Sequence, residues 1–207
     1  MFKKEELKEN ILSIWKILNN CKESFLFCKY LHLPETSNEK QYIENSRYFK
    51  YIRHILWRNS VIELSKLFSI SKNRDKYNIS HFIKKLKPQG HFKIFKIDSH
   101  KIYDWESTFA TNNGIIDNLL ILRDKVYAHT DVLDANESLN GLTFEEMEML
   151  INLVEDLIRE IYRSVFNGDV DLRTPLFGRG NFKLINNLIE HKEFKTKELN
   201  ERLNSKK

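Results

Sequence analysis

Eight positions near the start of the chain follow one another at alternating steps of four and three residues. They are Leu7, Ile11, Ile14, Leu18, Cys21, Phe25, Cys28 and His32. Such steps keep side chains on one face of an α-helix, because the helix has about 3.6 residues per turn. The pattern therefore predicts one long helix over residues 3–32 with a continuous buried face.

Helical spacing recurs along most of the remaining chain. It predicts helices over residues 38–70, 100–129 and 143–166, and a charged C-terminal helix over residues 181–204. "LPETSN" ends the first helix, "NNG" at 112–114 is a possible break in the third, and "TFEE" at 143–146 is a capping box. Six glycines and three prolines in 207 residues leave few turns for an all-β fold. We therefore predict an all-α, four-helix bundle in a single domain, residues 1–207.

The second predicted helix carries two neighbouring sets of large side chains. One set is Tyr48, Ile52, Ile55, Asn59 and Ile62, and the flanking set is Tyr51, Trp57, Val61, Leu64 and Phe68. Asn59 is the one amide side chain among the aromatic and aliphatic residues of the first set. Its amide is expected either to hydrogen-bond within the bundle or to contribute to a functional cleft.

The segment between the second and third helices is strongly basic. Residues 72–101 hold nine lysines and arginines against two aspartates, a net charge of +7 in a chain whose total is +5. We predict an irregular insertion over residues 71–100, with a short helix at 79–87 and a half-buried, strand-like "HFKIFKID". Lys84, Lys85 and Lys87 are candidate contacts for RNA phosphates. The interleaved aromatic rings either stack on bases or close the core.

Several classes of protein and site are excluded by composition and spacing. No apolar run approaches the ~18 residues of a membrane span, and "MFKKEELKEN" lacks the apolar core of a signal peptide. We therefore expect a cytoplasmic protein without a membrane partner. The α-carbons of Cys21 and Cys28 are roughly 10 Å apart on one helix, which excludes a disulfide between them. The same spacing prevents a single metal ion from binding Cys21, Cys28 and His32 together. Buried thiols are expected, and no metal or cofactor.

Residues 122–131, "LRDKVYAHTD", place an arginine, a histidine and two aspartates at the predicted end of a helix. Arg123 and His129 are roughly 120° out of phase, so they converge only if the helix ends or distorts, the arginine bends, or a second subunit supplies the facing half. A histidine can move the proton of an RNA 2′-hydroxyl while a guanidinium holds the phosphate, and this chemistry needs no metal. Asp131 could orient the imidazole, and Asp124 and Tyr127 could hold the arginine or a base. The alternative is a solvated helix terminus, where basic residues are common.

These stretches resemble a known family. "RDKVYAH" resembles the R-x(4-6)-H motif of the HEPN superfamily, and with "ILWRNSVIELSKLF" it is similar to the HEPN-like proteins of the bacterial abortive-infection U class. The resemblance covers residues 5–166. It implies a helical bundle that dimerises so that two motifs face each other across a cleft, to which Asn59 contributes. It also implies a metal-independent endoribonuclease used in phage defence or as a toxin.

We predict a homodimeric endoribonuclease that acts on RNA, with Arg123 and His129 as its catalytic residues. Two alternatives stay open. The first is a HEPN-like module that binds RNA or a nucleotide without cleaving it, and the second is a helical interaction or regulatory protein. Since no nucleotidyltransferase or helicase segment is recognisable, an antitoxin or regulator is expected on a separate chain.

Overall fold

The computed structural model describes residues 2–69, 77–124, 141–172 and 184–205, and within these ranges the regular structure is entirely helical. The α-helices are α1 (Phe2–His32), α2 (Ser37–Glu44), α3 (Arg47–Phe68), α4 (Ile79–Leu86), α5 (Ser99–Thr111), α6 (Asn113–Ile121), α7 (Phe144–Phe166) and α8 (Leu184–Asn204). A 3₁₀-helix, Lys93–Phe95, lies between α4 and α5. The predicted all-α fold is confirmed.

The helix predicted over residues 38–70 is two helices, so that prediction is wrong in this respect. Thr36 caps α2 in a capping box, its hydroxyl accepting from the Glu39 N–H while the Glu39 carboxylate accepts from the Thr36 N–H. Asn45 then ends α2, and Ser46 leads into α3. Both residue types favour turns over helix interiors because their side chains compete for backbone hydrogen bonds.

The break predicted in the third helix is confirmed, whereas the strand-like reading of "HFKIFKID" is wrong. Helix α5 ends at Thr111 and α6 begins at Asn113. After α4 the chain turns back through Gly90, and the Phe92 N–H donates to the Lys85 carbonyl at 2.7 Å. Residues that form a 3₁₀-helix beside α4 are not extended, although apolar and basic side chains interleave along them.

The chain divides into two compact units, one of residues 1–22 and 58–173 and the other of residues 23–57 and 174–207. Helices α1 and α3 each contribute residues to both units. The assignment of the whole chain to a single domain stays a prediction.

The first unit has its core between α1, α3, α5, α6 and α7. The row predicted on α1 is buried from Leu7 through Cys21, and the buried residues of α7 include Met147, Leu150 and Val154. The Phe68 and Phe109 rings pack 6.0 Å apart, joining α3 to α5. Polar pairs add to this packing where α7 meets its neighbours, with Lys22 paired to Glu155 and the Trp105 indole N–H donating to Glu160.

The second unit has its own apolar cluster. Its buried residues are Tyr30, Leu31, Ile43, Phe49 and Ile185, with Leu188 and Ile189 of α8 packed against them. The Tyr30 hydroxyl donates to Glu39 at 2.6 Å inside this unit. Burial opposes ionisation of Glu39, but the hydrogen bonds from Tyr30 and Thr36 outweigh it, so the pKa of this carboxyl is lowered.

The buried face of α3 includes Val61, Leu64 and Phe68 of the flanking set, but not Tyr51, which is 67% exposed. Val61, Leu64 and Leu67 are fully buried. Tyr48 is 81% exposed, Ile55 is 39% exposed, and Asn59 is exposed as well. Asn59 therefore does not lie on the buried face of α3, and its contribution to a functional cleft stays a prediction. The two sets lie side by side on the helix, and large side chains occupy both.

Both cysteines are free and buried, as predicted. Burial raises the pKa of Cys28 to about 12, although the nearby charge of Arg53 acts in the opposite direction. Burial also raises the pKa of Cys21. None of the helices in the described part of the chain is long and apolar enough to cross a membrane.

Candidate functional site

Arg123 lies where α6 gives way to a π-helical turn. Buried residues Ile116, Leu119 and Leu122 fix the core face of this segment. Residues 122–124 then continue as a π-helix, in which the winding is wider than in an α-helix. A distortion of the helix, one of the conditions under which Arg123 and His129 could converge, is therefore present at Arg123 itself.

The Arg123 guanidinium is half-buried and held on two sides. Its Nη1 donates to the Ser69 hydroxyl at 2.9 Å, and its Nε donates to Oδ1 of Asp124 at 2.6 Å. Nη2 lies 2.6 Å from the same carboxylate oxygen. The Asp124 side chain is 54% exposed, against 24% for Arg123. Ion pairs so open to solvent contribute little stability, so a phosphate can replace Asp124 at modest cost.

Ser69 is itself fixed by two hydrogen bonds of its backbone. Its N–H donates to the Ser65 carbonyl at 2.8 Å, and its own carbonyl accepts from Nδ2 of Asn78 at 3.1 Å. Asn78 is buried and also caps α4, because its Oδ1 accepts from the His81 N–H at 2.9 Å. Ser69, just after α3, thus connects Arg123 at the end of α6 to Asn78 at the start of α4.

Neither Ser69 nor Asn78 was predicted from the sequence. Asn78 precedes the apolar periodicity of α4, and an asparagine in that position is a typical N-cap. That signal could have identified Asn78 as a structural residue, but not as a partner of this site. Nothing in the sequence distinguishes Ser69 from other serines, because its partner Arg123 lies 54 positions further along the chain.

Asn59 and Lys84 occupy exposed positions, whereas Lys85 and Lys87 are half-buried. The four buried residues of α4, Ile79, Phe82, Ile83 and Leu86, form its inner face. Lys84 is therefore exposed and Lys85 half-buried. Lys87 differs from them, since its ammonium pairs with the Glu106 carboxylate at 2.8 Å. Lys84 and Lys85 remain the better placed of the three for an external phosphate.

Three of the candidate residues, Tyr127, His129 and Asp131, lie outside the described residues. Their roles stay predictions. The described ranges hold no group of three histidine, cysteine or acidic side chains placed to bind a metal ion.

The chain matches the model of a known protein family. The family model HEPN_AbiU2, described as AbiU2, matches residues 4–176. No curated protein and no solved structure matches the chain. The matched range contains Arg123, Ser69 and Asn78, and it ends before α8 begins.

Proposed function

Because the chain belongs to the AbiU2 family of HEPN proteins, we propose that it is a metal-independent endoribonuclease that acts in abortive infection. The observation that supports the proposal most directly is the state of Arg123. Its guanidinium is held in place by Ser69. Its other partner is the exposed carboxylate of Asp124, which an RNA phosphate can displace. Its substrate is RNA in the cytoplasm, where cleavage acts as a toxin and stops phage growth.

In the proposed reaction His129 accepts the proton of a ribose 2′-hydroxyl. The resulting oxygen attacks the adjacent phosphorus, and the bond to the 5′-oxygen breaks. That oxygen takes up a proton, from the protonated imidazole or from water, which leaves a 2′,3′-cyclic phosphate and a 5′-hydroxyl. Arg123 donates two hydrogen bonds to the phosphate and offsets the charge that develops on it. Asp131 orients the imidazole, and Tyr127 contacts a base.

A homodimer forms part of the proposal. One chain supplies one Arg123 and one His129. In a dimer the Arg123 and His129 of the second chain face them across a cleft, which doubles the groups that can bind and cleave the phosphodiester. Light scattering at micromolar concentration should show a dimer. A fully active monomer would remove this part of the proposal.

The test is a cleavage assay on total RNA and on defined oligonucleotides. Cleavage should persist in EDTA, and should fail on DNA and on 2′-O-methyl RNA. His129→Ala should lower the rate by on the order of 10² to 10⁴ with little loss of affinity. Arg123→Ala should lower both, and Arg123→Lys should restore activity only in part, because an ammonium lacks the planar fork.

Arg163 provides a matched control for these variants. It also pairs with an exposed aspartate, Asp169, at 3.1 Å, but it lies on α7. Arg163→Ala should therefore cleave at the parent rate. Equal rates of RNA cleavage for His129→Ala and the parent protein would show that the motif is only a helix terminus without a catalytic role.

A binding module of the same fold is the second candidate function. It is favoured by Lys84, which is exposed on α4, and by the half-buried Lys85 beside it. Lys84→Gln with Lys85→Gln should lower the salt dependence of RNA binding by about 0.7 per lost phosphate contact. Lys87→Gln should change it less, because Glu106 already neutralises that ammonium. RNA binding that depends on Arg123, without any cleavage, would identify this function. Absence of both would favour an interaction protein, with a separate regulator or antitoxin chain as partner.

A further inference from the structure

A polar groove lies in the second unit, between α8 and the corner where α2 meets α3. Its volume is about 1070 Å³. Its walls come from residues 38–48 and from one face of α8 between residues 189 and 204. The α8 part of the wall recurs at steps of three and four over roughly 22 Å of helix. None of these residues belongs to the site around Arg123, and α8 lies outside the range matched by the family.

Helix α8 turns a polar face toward this groove. Its first turns are anchored by Ile185, Leu188 and Ile189 in the apolar cluster of the second unit. Every described residue after Ile189 is exposed. The side that lines the groove is polar from there on, whereas Phe194 and Leu199 are 67% and 59% exposed outside it.

This arrangement reverses the usual one, in which a surface helix packs its apolar side against the protein. The α8 wall beyond Ile189 therefore offers an apolar helix or a lipid no apolar side chain to pack against. It is suited to a ligand that makes many hydrogen bonds.

The carboxamide side chains in the groove indicate the chemical class of that ligand. Five carboxamides line it, from Asn38, Gln41, Asn45, Asn200 and Asn204. Each carboxamide offers a donor and an acceptor side by side, which is the pattern that the edges of nucleobases pair with. Peptides and sugars also form hydrogen bonds, but the aromatic rings of the groove favour a ligand with flat faces.

Two tyrosine rings supply stacking surfaces. Tyr48 is 81% exposed, so its ring is available without any rearrangement. The Tyr42 ring already receives a cation, since Nζ of Lys192 lies 5.6 Å from its centroid. Exposed tyrosines beside cations are typical of surfaces that bind unpaired bases.

The charge of the groove indicates which part of a nucleic acid it contacts. Arg47, Lys192 and Lys197 are balanced in large part by Glu193 and Glu201, which leaves a net charge of +1. A track for phosphates would be repelled by the two carboxylates. Carboxylates can instead accept from the exocyclic amino groups of bases.

We propose that this groove is a second RNA-binding site, one that binds single-stranded RNA through its bases. It differs from the lysines of α4, which are placed for phosphates. It goes beyond the proposed nuclease activity, because binding here involves neither Arg123 nor cleavage.

The test measures binding of a fluorescent single-stranded RNA of about eight nucleotides, a length within the range bound by one such site. The full-length His129→Ala protein serves as the parent, so that the RNA stays intact. Tyr48→Ala should raise Kd on the order of tenfold, the usual cost of losing one stacked base. Tyr51→Ala is the matched control: Tyr51 lies one turn along α3, is 67% exposed, and does not line the groove.

Three further results decide the proposal. Asn200→Ala should weaken binding by an amount that depends on base identity, and duplex RNA should not lose affinity with Tyr48→Ala. The groove variants should lower the slope of log affinity against log salt concentration by no more than about 2, because the groove holds only three cations. Equal affinities of the parent, Tyr48→Ala and Asn200→Ala would overturn the proposal. So would a photo-crosslinker at Tyr48 that captures a protein and no RNA. These outcomes are independent of whether the protein cleaves RNA.

Discussion

Ser69 offers a specific test of how Arg123 is held. Replacement by alanine removes the hydroxyl that accepts from Nη1 at 2.9 Å but leaves the backbone bonds of residue 69 to Ser65 and Asn78 intact. Hydrogen bonds to charged groups are worth about 1.5–3 kcal/mol. Arg123 keeps Asp124 and is partly exposed, so the lower end of this range applies.

A loss of about 1.5 kcal/mol in transition-state binding corresponds to roughly a tenfold fall in kcat/KM. Single-turnover cleavage of a defined RNA measures the rate, and fluorescence anisotropy measures the affinity. Ser69→Thr, which retains a hydroxyl, should restore most of the activity. The free energy of unfolding should change by less than about 1 kcal/mol, because water can replace the lost partner at a half-buried site.

Ser13 is the control for Ser69. Its hydroxyl donates to the Glu9 carbonyl at 2.8 Å within α1, so Ser13→Ala removes a similar group away from Arg123. If Ser69→Ala cleaves RNA at the parent rate while Arg123→Ala does not, the hydrogen bond between Ser69 and Arg123 is incidental. The guanidinium is then positioned by Asp124 or by the substrate alone.

Three further predictions concern stability, and urea unfolding measures each of them. Lys22→Ala should lower the free energy of unfolding by about 3 kcal/mol, because it leaves the buried Glu155 without its partner, whereas Lys22→Met combined with Glu155→Leu should recover most of the loss. Gly90→Ala should cost on the order of 2 kcal/mol, since a Cβ there would clash with the carbonyl oxygens of Lys84 and Lys85; an unchanged midpoint would contradict the close approach. The lowered pKa of Glu39 should make stability fall as the pH drops below its ordinary value of 4.5, because the native state must then give up a hydrogen-bonded carboxylate, and Glu39→Gln should flatten this dependence.

The helices themselves were largely predictable, and the reason is local. Steps of three and four identify an amphipathic helix, and Thr143 with Glu146 marks the start of α7 through contacts only three residues apart. The choice between two adjacent faces of α3 was not predictable. Tyr48 and Ile55 are as large as the buried residues, and only the packing of other helices determines which face is covered.

The site was predictable to the extent that it is a linear motif. Arg123 and Asp124 are neighbours in the sequence, so their pairing could be anticipated. The contact between Arg123 and Ser69 depends on how α6 packs beside the end of α3, and no short-range rule describes it. The groove beside α8 escaped prediction for a similar reason, since a charged helix is usually interpreted as a solvated surface.

The labelling rates of the two buried cysteines can be used to measure local unfolding of the chain. Only a thiolate attacks a maleimide, and at neutral pH a thiol with a pKa near 12 is almost wholly protonated. Cys21 belongs to the first unit and Cys28 to the second. The rate at which each thiol is labelled therefore follows the transient unfolding of its own unit. Mass spectrometry of single-cysteine variants can time the two events separately, without any probe attached to the surface.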